Sequence, residues 1–94
     1  MEVISIIVSD DETPVLSIET FGVMDEEHKS QAVEEAEEAY HIAALDLKFG
    51  RDRKPSEDQD DFCDEINDSL EDGYIHIYPH TVSIVWSSIN NIQL

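Results

Sequence analysis

The sequence predicts an α+β fold of order ββααββ, with an antiparallel four-stranded sheet of two hairpins and two acidic helices packed on one face. Three observations predict it. Short β-branched or alternating runs stand at both ends of the chain. The middle carries apolar residues at helical spacing. Strands this close in sequence most simply pair as antiparallel hairpins. Ninety-four residues with 40% hydrophobic content hold one domain, 1–94, with a modest core, despite a net charge of -18.

Val3 to Val8 (VISIIV) reads as the first strand, with Ile4, Ile6 and Val8 on one face. Ser9 to Pro14 is a turn cluster, and Val15 to Phe21 (VLSIETF) is the second strand, with Leu16 and Ile18 on one side. Asp25 is placed to cap a first helix running to Phe49 and stopping at Gly50. Its stripe is Ala32, Val33, Ala36, Ala39, Tyr40, Ala43, Ala44 and Leu47, where the alanines allow close approach of the sheet. Ile42, Leu45 and Phe49 break from the polar side. The sequence expects them covered within the monomer, or else serving a homodimer. Arg51 to Pro55 is the linker, and it holds three of the five bases near a helix C-terminus that favours cations.

The second helix is predicted between Ser56 and Gly73. Ser56 and Gln59 form a capping box, and Gly73 suits a left-handed stop. Between Glu57 and Asp72 lie nine carboxylates and no basic residue. At about 100° per residue the acids fall within roughly 160°, opposite Phe62, Cys63, Ile66 and Leu70. Neighbours such as Glu57/Asp61, Asp61/Asp64 and Asp64/Asp68 repel, each pair costing a few tenths of a kcal/mol. After it, Tyr74 to Tyr78 and Thr81 to Trp86 are strands joined at Pro79-His80, and a tail from Ser87 to Leu94 packs loosely.

Much chemistry is excluded. Twenty-three acids against five bases rule out phosphate-backbone binding and disfavour anionic membranes, and no apolar run approaches a membrane span. No signal peptide is read, and a single Cys63 fits a reducing compartment, so the expected location is cytoplasmic. A calcium loop begun at Asp58 needs an oxygen at Phe62 and glycine at Cys63, and one begun at Asp68 puts Leu70 at a ligand position. His76 and His80 straddle a turn without a third metal ligand. Cys63 reads as a small core residue. Catalytic carboxylate pairs need an apolar cleft that separates their pKa values, not an exposed helix, so an enzyme is not expected. Neither a cofactor nor a metal is expected.

The remaining reading is an acidic surface for a basic partner. Its residues are Glu57, Asp58, Asp61, Asp64, Glu65, Asp68 and Asp72, with Glu34 and Glu38 of the first helix. In length, charge and lack of motifs the chain resembles, as a class, the phage-encoded DNA mimics: anti-restriction proteins, anti-CRISPR proteins and uracil-glycosylase inhibitors. That resemblance covers the helical middle, and it implies an inhibitor that occupies the basic nucleic-acid-binding groove of a defence nuclease in the host cytoplasm. The alternatives are an immunity protein neutralising a basic nuclease toxin, and a generic acidic or salt-adapted interaction domain. Against salt adaptation stand eleven Ile and a concentration of eighteen acids in residues 25–72.

Overall fold

A computed structural model describes residues 2–12 and 15–88, apart from the side chain of Ser88. Its order is β1 (Glu2–Asp10), β2 (Ser17–Val23), α1 (Lys29–Phe49), α2 (Glu57–Ser69), β3 (Tyr74–Ile77) and β4 (His80–Ser88). The four strands form one antiparallel sheet in the order β2-β1-β4-β3. The α+β architecture and the two hairpins are therefore those the sequence predicts. The pairing of β1 with β4, which welds the hairpins together, had no local signal.

Alternation along β1 decides which side is core. Ile4 and Ile6 are buried, and their register partners Phe21, Trp86 and Ile84 share their face. Val82 and Ile77 complete that face, and α1 and α2 both lie on it. Ala32, Ala36, Tyr40 and Ala44 are the buried line of α1, and Val33, Ala39, Ala43 and Leu47 flank it, as the stripe required. Small side chains let the helix backbone settle close to the strands.

Several boundaries differ from the sequence reading, each for a physical reason. β2 runs from Ser17 to Val23 instead of Val15 to Phe21, because Val8 pairs with Ser17 and buried Val23 pairs with Glu2. α1 begins four residues after Asp25. The Asp25 carboxylate accepts from the His28 backbone N–H at 2.9 Å and closes a lead-in turn, while the helix N-cap itself has no side-chain cap bond. The His28 imidazole also reaches Asp25 Oδ1 at 2.8 Å, and this bond, foremost among several, lowers the Asp25 pKa. β3 stops at Ile77 and β4 begins at His80 and continues to Ser88, so the predicted tail starts inside a strand. Residues 89–94 lie outside those described.

Leu45 and Phe49 pack against the core, and the Phe49 ring meets Phe62 edge-on with centroids 5.8 Å apart. Of the three residues that broke the polar side, only Ile42 is exposed, at 44%. Cover within the monomer therefore accounts for two of them, and Ile42 stays exposed. The linker bases divide. Arg53 pairs with Asp46 and also donates to the Gly50 carbonyl at 3.1 Å, so it closes the C-terminal end of α1. Among the described residues no helix is long and apolar enough to cross a membrane.

Tyr40 joins the two helices. Its side chain is wholly buried, and its hydroxyl lies 2.7 Å from Ser69 Oγ. Ser69 gives its own hydrogen to the Ile66 carbonyl at 2.6 Å, so Tyr40 must be the donor. Burial pushes the Tyr40 phenol above its ordinary pKa, and the negative charge of Asp72 adds to the shift. The unfolded chain thus loses this proton first, and the stability held by the neutral phenol is full below about pH 10 and lost as pH rises through the raised pKa. Tyr40→Phe should cost about 1 kcal/mol in urea unfolding at pH 7. It should also flatten the alkaline decline relative to wild type, and parallel declines would mean that the Tyr40 proton is not involved.

Candidate functional site

The site is the outer surface of the helix layer, and α2 is its centre. Ser56 caps the helix by accepting from the Gln59 backbone N–H at 3.3 Å. The reciprocal half of the capping box does not form, because the Gln59 side chain donates instead to the Lys54 carbonyl. Glu57, Asp58 and Asp60 occupy the first turn, where the helix dipole favours them. The regular helix ends at Ser69, earlier than the sequence suggested. Glu71 and Asp72 lie in a terminal turn that Gly73 closes at φ +84°, donating to the Ser69 carbonyl at 3.0 Å.

Every one of the nine carboxylates from Glu57 to Asp72 is exposed. Seven stand on the helix proper, which at about 1.5 Å per residue is about 20 Å long, or one charge per roughly 2.8 Å. Among the described residues the ion pairs are His28–Asp25, Lys29–Glu2 and Arg53–Asp46, and none reaches these acids. Lys48 shares a shallow groove with Asp58, Asp61 and Glu65, and its ammonium lies 5.6 Å from the Phe62 ring centroid.

What holds this wall down is its other side. Phe62 and Ile66 are buried, each supplying about 1.5–3 kcal/mol. Together they supply about 3–6 kcal/mol, more than the roughly 1.6–4 kcal/mol that the eight like-charge pairs three or four residues apart on the helix cost at a few tenths each. Leu70 packs at the margin of the core, and Cys63 is only half-buried, so it is less a core residue than its position suggested.

A hydrogen bond on the outer side also ties the two helices together. His41 Nε2 donates to Asn67 Oδ1 at 2.8 Å across the outer seam of the helix pair. One turn back from His41 stand Glu37 and Glu38, and Asn67 is flanked one turn away by Asp64 and Glu71. The proposed contacts Glu34 and Glu38 are exposed on this outer side. The sequence reading missed a second lobe. Glu19 pairs with Ile6, so it points to the helix side and joins Glu35, Glu38 and Asp46 around an open groove of about 450 Å³ floored by Phe21, Ala39, Ile42 and Ala43. Only the β1–β2 register could have shown this.

Other candidates come apart in three dimensions. His76 and His80, adjacent across a turn in sequence, fall on opposite sides of the sheet. His76 bonds Thr81 Oγ1 at 2.9 Å on the open side, and His80 shares the helix side with its register partner Ile77. Among the described residues no three His, Cys, Asp or Glu converge as metal ligands.

Repulsion along the acidic face weakens as salt shortens the Debye length from about 10 Å at 0.1 M to about 3 Å at 1 M. The melting temperature should therefore rise with sodium chloride across that range, and a flat or falling curve would show that the carboxylates are internally compensated. Comparison with protein-family models, with curated proteins and with solved structures gave no match, so a function has to be read from the chemistry of this charged face.

Proposed function

We propose that this chain is a polynucleotide mimic that occupies the basic nucleic-acid-binding groove of another protein, acting as an anti-defence inhibitor of the anti-CRISPR or anti-restriction kind. The observation that supports it is the face of α2, with seven exposed carboxylates in about 20 Å and no ion pair to any of them among the described residues. Duplex DNA carries one charge per about 1.7 Å of axis. The exposed Glu34 and Glu38 of α1 add further carboxylates to the same helix layer.

A groove evolved for phosphates presents Lys and Arg in rows. Carboxylates at similar spacing satisfy those cations with charge-assisted hydrogen bonds and displace their counterions, as a nucleic acid would. The face is preorganised, because Phe62, Ile66 and the Tyr40–Ser69 bond fix α2 before any partner arrives. The groove beside Glu19 and Glu38 adds apolar floor against which the aliphatic stems of Lys or Arg can lie. Inhibition is by occupancy: the partner's cations are engaged and its nucleic acid is excluded. Such a partner sits in the cytoplasm of a host cell.

The test is affinity capture from a host lysate, followed by competition of the retained protein with DNA or RNA. Asp61, Asp64 and Asp68 stand near the centre of the acidic arc. Their combined reversal to Lys should reduce partner binding at least a hundredfold and collapse the association rate, while circular dichroism shows a fold at least as stable as wild type. Nucleic acid should compete with wild type for one site, and both affinities should weaken with salt. Equal inhibition by wild type and triple variant would overturn the reading. Capture without nucleic-acid competition would point instead to an immunity-type contact away from the groove.

A further inference from the structure

We propose that the open face of the sheet packs against the same face of a second copy of this chain. The register fixes its membership: Val3, Ser5, Ile7 and Ser9 of β1, Ile18, Thr20 and Gly22 of β2, Tyr74 and His76 of β3, and Thr81, Ser83, Val85 and Ser87 of β4. None is an Asp, Glu, Lys or Arg. In a chain with 30% charged residues, thirteen positions would ordinarily hold about four. The charged residues of the strands are Glu2, Asp10 and Glu19, and all three lie on the other side, toward the helices. That inverts the usual rule for a one-sided antiparallel sheet, in which the solvated face takes the charges. The open face is also not buried: Ile18 is 57% exposed, Tyr74 54% and Val85 42%, and among the described residues no element covers it.

Charge selects the occupant. Each copy carries -18, so two copies meeting through helix faces would bring carboxylates within a Debye length, about 8 Å at physiological salt. Meeting through the open faces sets the sheets about 10 Å apart, with a helix layer about 10 Å thick outside each. The acidic faces then point away from each other across more than about 30 Å, where screening removes most of the repulsion. The face is also self-complementary. Its Ser and Thr hydroxyls both donate and accept, and Ile7, Ile18, Val85 and Tyr74 supply apolar contact without demanding an opposite charge. At about 3.4 Å per residue and 4.8 Å per strand, the sheet offers about 500 Å² of flat area per copy. That gives about 1,000 Å² for the pair, the lower edge of a specific interface. The dimer is a four-layer particle, helices outside and sheets inside, with an acidic surface at each end.

Sedimentation equilibrium of the full chain at 0.15 M sodium chloride tests this. The expected mass is twice 10.7 kDa, with a dissociation constant that falls as salt rises. Val85→Asp on a central strand and Thr20→Asp on the edge strand β2 should each weaken the dimer at least tenfold, with circular dichroism reporting a retained fold. Ile42→Asp, exposed on the helix side, should leave it unchanged. A monomer at every concentration up to about 1 mM, or a dimer broken by Ile42→Asp and not by the sheet variants, would overturn the proposal.

Discussion

A helix with seven carboxylates and no cation stays folded only while its other side is buried, and in this chain that side is Phe62 and Ile66. The rest of the fold follows from holding them. α1 supplies an alanine-lined platform, Phe49 packs edge-on against Phe62, and Tyr40 reaches across to Ser69 where the helix ends. The core is small and almost entirely aliphatic, with Tyr40 and Phe62 the only buried rings among the described residues. Repulsion on the outside and burial on the inside act on the same thirteen residues, and burial is the larger of the two.

That constraint explains how charge is partitioned. The helix layer gathers the acids on its outer surface, and Glu19 extends them over the edge of the sheet. Three of the five bases are used internally, with Arg53 closing α1, Lys29 near Glu2 and the Trp86 ring, and Lys48 over Phe62. A surface built this way is complementary to a basic groove on one side and neutral on the other. The two faces can thus serve two different contacts without interfering electrostatically.

Much of this was legible in the sequence. Strand alternation, the α1 stripe, Ser56 as a cap and Gly73 as a left-handed stop are local signals, and local physics forms them as read. What stayed hidden depends on pairing between distant segments. The β1–β4 ladder joins residues nearly eighty positions apart. The side taken by Glu19 depends on a hairpin register that a one-residue slip would reverse. The same register separates His76 from His80, and only the full ladder reveals that one face of the sheet carries no charge. Asp25 misled because an Asp that caps a turn and an Asp that caps a helix look alike in sequence.

Carboxyl footprinting of the protein bound to its captured basic partner tests the central claim most directly, by comparing carbodiimide labelling of each Asp and Glu in the free and bound states. Protection should centre on Asp61, Asp64 and Asp68, extend to Glu34 and Glu38, and leave Asp11 and Glu12 labelled as in the free chain. Unchanged labelling of α2 in a partner complex that otherwise forms would contradict the account.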